Sequence, residues 1–572
     1  MFSPLPEIPH LPGILPLPEL PLEAESDKAS TIVPTQDDDD DTQIPEKVSK
    51  PSSSLENIHA YGRAGSTEVN ESTAPDGNAN IDVEKGDPEA PKEVTRRVPE
   101  GYKEYDDPNI VNWDGPDDPE HPENWSSTKK VVIVSSIGLI TLLTPLGSSM
   151  FAPGVGEVVK EFNNHSPELA SFVVSVYLLG FSFGPLIIAP LSELYGRVPL
   201  YTACNCLFVI FTVACALAKS FNSLIFFRFV AGAAGSAPLT IGAGTIADMI
   251  RQEKRGGAIA AWALGPLLGP VIGPVAGGFL TQAFGWRWTF WALAIAAGAV
   301  TINTFIWLNE SYHPTILAKK TARLIKETGN TNLRSALDSG QTPKALFLLS
   351  IIRPTKMLFL SPIVFLLSLY AAVVYGYLYL LFTTISGVFI GKYHFSQGTV
   401  GLSFLGVGVG CLIGLATLGG TSDRLLKYLA ARSGGVMKPE FRLPPLIPGS
   451  LFLPIGLFWY GWSAEKGAHY IVPIIGTSFV GIGMILSFMS ISTYLVDAYT
   501  RHSASALAAN TVLRSIFGAV LPLCGERMYR ALGLGWGNSL LAFIALALAP
   551  LPVFFYIYGE RIRTSKRFAV IL

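Results

Sequence analysis

Residues 262–280 read WALGPLLGPVIGPVAGGFL. No charge interrupts the stretch, and its length is close to the roughly 20 residues that cross a hydrocarbon core as a helix. Gly265, Gly269, Gly273 and Gly277 recur at every fourth position, which places them on one helix face. Pro266, Pro270 and Pro274 follow at the same interval. In water this is a poor helix, since an interior glycine costs about 1 kcal/mol and an interior proline about 3 kcal/mol. In lipid the backbone must still bond to itself, and neighbouring helices re-satisfy what proline frees. A stripe of small residues also admits a second helix at close range. The stretch therefore reads as a membrane helix carrying a packing seam, and the rest of the chain reads as a bundle around it.

Composition agrees. Of 572 residues 49% are apolar and 15% are charged, against about 25% charged in a typical soluble domain. The first 128 residues are polar, so the remainder is more apolar still and implies many membrane crossings. The net charge of −2 is segregated along the chain and selects no partner. The five cysteines (Cys204, Cys206, Cys215, Cys411, Cys524) lie in apolar stretches without metal or redox spacing and read as small core hydrophobes. The eight histidines form no HExxH and no paired set, so no metal site is expected. No GxxxxGK[ST] is present to drive an ATP-powered pump, and no TVGYG filter marks a channel. No catalytic constellation sits on any loop, so an enzyme is not expected.

Residues 1–128 read as a disordered cytosolic tail. The start, MFSPLPEIPHLPGILPLPELPLE, is broken by proline and lacks the basic start and unbroken apolar core of a signal peptide. The acidic run Asp37–Asp41 and a Ser/Glu/Asn/Pro-rich stretch follow, too polar to offset the entropy of ordering. At Pro122–Lys130 (PENWSSTKK), Trp125 and two lysines stand where an interfacial anchor precedes a first membrane helix.

Twelve apolar segments follow, at about 131–153, 168–190, 200–218, 223–249, 258–281, 287–307, 358–386, 398–418, 445–464, 470–495, 504–524 and 538–558. A charged gap divides them six and six. The expected organisation is a bundle over 129–308, a central loop over 309–357, a second bundle over 358–560 and a short tail over 561–572. The gap alone holds eight Lys/Arg, whereas the opposite loops together hold only Lys160, Lys219, Arg287, Lys392, Lys466, Arg527 and Arg530. By the positive-inside rule both termini are expected in the cytosol. Within the gap, Leu317–Thr328 (LAKKTARLIKET) has the pattern of a basic amphipathic helix on the membrane surface. A sequon at Asn164-His165-Ser166 falls in the first outer loop and is followed by Pro167, which weakens it as an acceptor.

Charges repeat between the halves. The second span ends in Pro190-Leu191-Ser192-Glu193-Leu194-Tyr195-Gly196-Arg197, and the eighth in Gly419-Gly420-Thr421-Ser422-Asp423-Arg424. The fourth ends at Asp248 and the tenth at Asp497. Glu193, Arg197 and Asp248 are candidates for one charge cluster that locks two helices, with Asp423, Arg424 and Asp497 as counterparts; the plainer reading is surface charge. Arg228 lies inside SLIFFRFVAGAAGSAPLTIGAG. It either faces the protein interior, as charges within a membrane usually do, or snorkels to the nearby end. Arg514, with Asn510 beside it, lies deeper in NTVLRSIFGAVLP and is a candidate contact to a substrate or to the eighth span. Tyr370, Tyr375, Tyr377 and Tyr379 crowd one segment, with Tyr370 and Tyr377 on one face and Tyr375 and Tyr379 on another. One face lines a cavity for a flat substrate, or the four form an interfacial belt. No Asp or Glu falls at the centre of any span, so no proton carrier is evident.

These motifs together resemble the major facilitator superfamily, and within it the fungal twelve-span drug:proton antiporters. Gly269-Pro270-Val271-Ile272-Gly273-Pro274-Val275-Ala276-Gly277-Gly278 resembles the GxxxGPxxGG antiporter motif of the fifth helix, with Ala260 where a further glycine often stands. PLSELYGR resembles the loop 2–3 signature G-x-L-a-D-r-x-G-R, with Ala189 and Glu193 at the glycine and aspartate positions. Leu224-x-x-x-Arg228-x-x-x-Gly232 resembles the helix 4 signature associated with proton coupling, with Ala231 in place of a glutamine. The segments NESYHPTILAKKTARLIKETG, FLLSLYAAVVYGYLYLLFTTIS, ALAANTVLRSIFGAVLPL and GLGWGNSLLAFIALALAP extend the likeness over nearly all of 122–572; Asn309 replaces a usual proline. The resemblance implies an all-α polytopic membrane protein of twelve transmembrane helices in two six-helix bundles. It implies proton-driven export of a small lipophilic or amphipathic compound such as a drug, toxin or secondary metabolite. The gating network would fall on Glu193, Arg197 and Asp248, and proton coupling on Arg228. No cofactor is expected beyond the proton gradient. The expected partners are substrate, protons and the lipid bilayer, not nucleic acid, and the unit is a monomer. Plasma membrane is the expected location, with a vacuolar or vesicular membrane open. A polyamine carrier and a non-transporting sensor are the alternatives.

Overall fold

The computed structural model describes residues 107–163, 166–338, 340 and 342–565. The tail before residue 107, with Asp37–Asp41, and the sequon asparagine Asn164 lie outside the described residues. In chain order the helices of the first half are α1 (Ser127–Ser149), α2 (Val155–Glu161), α3 (Pro167–Tyr195), α4 (Arg197–Ala216), α5 (Phe221–Gly235), α6 (Ala237–Met249), α7 (Gln252–Phe284) and α8 (Arg287–Trp307). The connection holds α9 (His313–Thr328) and α10 (Pro343–Leu360). The second half comprises α11 (Pro362–Tyr393), α12 (Gln397–Val400), α13 (Leu405–Arg432), α14 (Leu446–Glu465), α15 (Ile471–Ala498), α16 (Ser503–Val520), α17 (Pro522–Leu548) and α18 (Pro550–Thr564).

Many helices begin where serine permits. The side chains of Ser126, Ser166, Ser220, Ser361 and Ser396 each accept the N–H three residues on, which satisfies one of the four orphan donors at a helix start. Among the described residues, eleven continuous stretches are long and apolar enough to cross a membrane. The longest, Pro522–Thr564, is really a corner between two spans, because Gly533 inside it has φ 78° and ψ 173°. Gly196 (φ 96°, ψ 172°) and Gly285 (φ 84°, ψ 165°) take the same left-handed shape where α3 and α7 end. Counting the break at Gly533, α16 with the front of α17 makes an eleventh span and the remainder a twelfth, as the sequence predicts.

Each of these one-residue corners is closed by a distant carboxylate. Glu310 accepts the N–H groups of Arg197 (2.8 Å) and Val198 (3.2 Å) at the start of α4. Glu157 accepts that of Trp286 (3.1 Å) ahead of α8, and Glu465 that of Leu534 (2.9 Å) after Gly533. A carboxylate there meets the positive end of a helix dipole. At Gly196 a Cβ would run into the Glu310 carboxylate, so both the φ angle and the space require glycine.

Three expectations are corrected. Residues 107–128 are not disordered: they form a strap packed on α9. Ile110–Val111 (β1) pairs in parallel with Arg334–Ser335 (β2). Trp113 and His121 are buried, with ring centroids 4.6 Å apart, and His313 closes the cluster. The apolar rings supply the burial that the polar composition of the tail concealed. The helix expected over Leu317–Thr328 forms as α9, and on its inner face Lys320 pairs with Asp114 (2.7 Å) and Asp118 (3.3 Å). The central loop also contains a second helix, α10, which packs against both α3 and α16 through buried Met357 and Leu358. Of the cysteines, Cys204, Cys215 and Cys411 are buried as expected, but Cys206 and Cys524 are exposed on helix surfaces.

Candidate functional site

The glycine stripe of α7 is a seam against α1. A Cβ on Gly265 would lie 3.0 Å from the Leu142 nitrogen, and one on Gly269 would lie 2.9 Å from the Leu142 oxygen. On Gly273 it would meet Leu146 and Ser149, and on Gly277 it would overlap the Met150 carbonyl outright. The other edge of the same helix meets the second half. A Cβ on Gly278 would sit 2.8 Å from the Gln397 carbonyl, and Gly401 leans on Pro274 so closely that no side chain fits. Pro274 is buried while Pro270 is half-buried beside it. Gln282, one turn further, accepts the N–H of Gly398 (2.6 Å) and the hydroxyl of Ser396 (3.1 Å). The motif thus fastens α7 to α1 within its half and to α12 across the halves.

Further polar contacts between halves run from this end towards the middle. Arg527 pairs with Glu168, the Ser175 hydroxyl donates to the Ala519 carbonyl (2.8 Å), and the Ser182 hydroxyl to Val512 (3.3 Å). The opposite end of the bundle, which carries α9 and α10, holds a separate charge network in each half.

In the first half Arg197 Nε donates to Asp248 at 3.2 Å and its Nη1 to the Ser192 hydroxyl at 2.8 Å. The guanidinium lies 4.5 Å from the Tyr312 ring, Ser311 donates to Asp248 (3.3 Å), and the His313 ring meets the Asp248 carbonyl (2.9 Å). Arg197 and Asp248 are therefore brought together as expected. Glu193 is not: it is exposed, makes no hydrogen bond or ion pair among the described residues, and only feels the Arg197 and Arg353 charges. Ser192 takes the guanidinium contact expected of Glu193, and Glu310 holds the Arg197 backbone.

The second half repeats the geometry with a different arginine. Arg442 Nε donates to Asp497 (2.9 Å) and its Nη1 to Asp423 (2.9 Å). Asp423 and Asp497 are joined as expected, but Arg424 is exposed and forms no ion pair among the described residues. The reason lies in the loop. Arg197 follows its span by one glycine, whereas the segment after α13 is long, and the arginine comes from Pro439–Arg442, just ahead of α14. Position relative to the following helix, not the preceding one, was the usable signal.

Arg228 does not snorkel; it is 1% exposed. Its guanidinium donates to the carbonyls of Ser148 (3.1 Å) and Val174 (3.2 Å), with Gly147 at 3.5 Å. Gly147 and Ser148 lie in the last turn of α1, whose carbonyls have no intrahelical partner. Phe151, Tyr177 and Phe290 rings surround the charge at 5.0, 5.4 and 5.7 Å. Carbonyls and ring faces, rather than a carboxylate, hold this cation.

The four tyrosines divide by face as their spacing predicts, and all lie within the protein rather than in a belt. Tyr370 reaches Ser487 (3.4 Å) and Tyr377 donates to the Leu541 carbonyl (2.9 Å), both inside the second half. Tyr379 and Tyr375, with ring centroids 5.1 Å apart, share the other face, and Tyr379 reaches the first half. The Tyr379 hydroxyl meets Ser148 at 2.9 Å, and Arg514 lies between the rings of Tyr375 (4.7 Å) and Phe488 (4.5 Å). The same Ser148 whose carbonyl receives Arg228 thus touches a tyrosine of the opposite half. Asn510, one turn from Arg514, is 2% exposed with its carbonyl oxygen unpartnered.

Two packed halves, latched at one end and each carrying its own arginine–aspartate network at the other, define a membrane transporter of the twelve-span type. The sequence matches the Major Facilitator Superfamily over residues 137–522, and the chain belongs to that family. It is 68% identical over 464 residues to the MFS-type transporter penM of Penicillium rubens, covering 81% of this chain and 91% of that one. It is 53% identical to the MFS-type transporter atr4 of Stereocaulon alpinum (90% and 92% covered) and 52% identical to the efflux pump radE of Floropilus chiversii (82% and 87%). Among solved structures the E. coli xylose transporter XylE, in a partially occluded inward open conformation, superposes with a TM-score of 0.57. It has 17% identity and covers 76% of this chain and 98% of its own, a likeness of fold.

Proposed function

We propose that the chain is a proton-coupled exporter of a small lipophilic or amphipathic organic compound, working by alternating access with both termini in the cytosol. The observation that carries this reading is the asymmetry of the polar contacts. Those between halves gather at the end of Gln282, Ser396, Glu168 and Arg527, whereas the networks of Arg197 and Arg442 each close within one half. Such an arrangement lets the halves rock: the first set must break and the second must re-pair for the pathway to change sides. The name of one relative, an efflux pump, supports the outward direction. Proton coupling rests on Arg228, a fully buried cation whose surroundings are carbonyls. The protein is then a carrier rather than an enzyme, needs no cofactor beyond the proton gradient, and acts as a monomer in the plasma membrane.

The test is efflux of a panel of labelled compounds from cells expressing the chain, with and without a protonophore, for wild type and Arg228→Ala at matched surface level. Retention of a lipophilic compound on protonophore addition, reproduced by the variant, supports the reading. Movement of polyamines alone replaces it with a polyamine carrier, and ligand binding without any flux replaces it with a sensor.

A further inference from the structure

Two guanidinium groups lie within the helices of the two halves, Arg228 in α5 and Arg514 in α16, and among the described residues no carboxylate pairs with either. Both lack a partner at Nε, but the two terminal nitrogens of Arg228 donate to carbonyls, as described. Arg514 has not even these: among the described residues it forms no ion pair and no hydrogen bond. Only the faces of Tyr375 and Phe488 attend it. Asp248 and Asp497 are engaged at one end of the bundle and Glu161 and Glu168 at the other, while Glu193, unpaired among the described residues, lies at the end of α3. Burying a cation without an anion is costly unless a partner arrives. Asn510 lies four residues before Arg514 and so on the same face of α16. It is 2% exposed, and its amide makes no hydrogen bond among the described residues. A guanidinium fork with an adjacent amide, beside two flat rings, matches a planar carboxylate attached to an aromatic body. Arg228 adds positive potential from the first half, coupled through Ser148 and Tyr379.

We propose that the substrate of this chain is an organic anion, an aromatic carboxylic acid in its ionised form, whose carboxylate is received by Arg514 and Asn510 while its ring lies against Tyr375 and Phe488. This rests on the exporter reading and narrows it, since a polyamine would place its charges against Arg514 and be repelled.

Binding of 2-naphthoate and of its neutral isostere 2-naphthamide to the purified full chain in detergent separates charge from shape, with efflux of the same pair from cells as a second readout. The expected result is at least tenfold tighter binding of the acid than of the amide. Arg514→Met lowers the affinity for the acid at least tenfold and leaves the amide within threefold, while Arg514→Lys falls between, because an ammonium keeps the charge and loses the fork. Thermal unfolding of each variant checks the fold, and the lysine variant carries the test should the methionine variant not fold. Equal binding of acid and amide to the wild type overturns the proposal, as does an unchanged acid-to-amide ratio in Arg514→Met or no binding of the acid at millimolar concentration. Protonophore-sensitive efflux of neutral compounds alongside any of those results leaves the exporter standing without the anion site. Arg514-dependent binding of the acid without efflux does the reverse.

Discussion

At the scale of single residues, space and charge each give a sharp expectation. A Cβ on Gly277 has nowhere to go but into the Met150 carbonyl, while one on Gly298 meets nothing within 4 Å. Gly277→Val should therefore cut efflux at least tenfold, and Gly298→Val should leave it within twofold, measured at equal membrane levels. His121 gives a pH expectation. Burial, then the neighbouring His313, hold its ring down to about 4 from an ordinary 6.5. The docked strap thus binds no proton where the released strap would. Its stability is complete above pH 6.5 and is lost as pH falls towards 4, by about 3 kcal/mol at most. Hydrogen exchange of residues 107–126, expressed as protection factors so that the intrinsic pH dependence of amide exchange is removed, should show lower protection at pH 5 than at pH 7, and His121→Asn should remove most of that difference. Pairings were harder to read than positions. Arg228 and Arg197 were legible because a charge in or beside an apolar run is conspicuous. Glu310 was not, because its work is to cap a helix more than a hundred residues away in sequence, and no spacing rule reports that.

At the scale of elements, periodicity was a reliable guide inside the membrane and a poor one outside it. The fourfold glycine stripe named its own packing face, and the spacing of the tyrosines in α11 sorted them onto two faces, one of them carrying Tyr379 to Ser148 of the first half. The strap was misread because it, like α9, looks like a surface segment alone. Their order comes from each other, through Lys320, Asp114 and Asp118. Burial raises the Asp118 carboxyl, but the N–H donors of Asp114 and Glu120 and the Lys320 charge more than offset this and hold it below the ordinary carboxylate range. Lys320→Gln should loosen the strap without disturbing the spans, seen as protease sensitivity confined to residues before Ser127. The two candidate arginines of the second half separate cleanly. Arg442→Ala removes contacts to both Asp423 and Asp497 and should slow efflux about tenfold, whereas Arg424→Ala should be nearly silent. Equal effects of the two would undo the symmetry drawn between Arg197 and Arg442.

At the scale of the whole molecule, the two halves with a charged connection were visible in hydropathy alone, because lipid tolerates few alternatives to a helix. How the halves touch was not visible. That depends on which faces of α7, α11 and α12 are free once each half has packed. If the contact of Gln282 with Ser396 breaks during transport, cysteines at those two positions, in a background lacking the five native ones, should cross-link and stop efflux, with recovery on reduction. Continued efflux by the cross-linked protein would count against rocking at this end. The capped corners carry a consequence for how the chain is made. At two of them the carboxylate is synthesised first: Glu157 and Glu465 are already in place when Trp286 and Leu534 emerge. At the third the order is reversed, for Glu310 leaves the ribosome 113 residues after Arg197. The start of α4 therefore waits, open, until the sixth span has been threaded into the bilayer. Its closure marks the moment at which the first half is finished, before any of the second half has been translated.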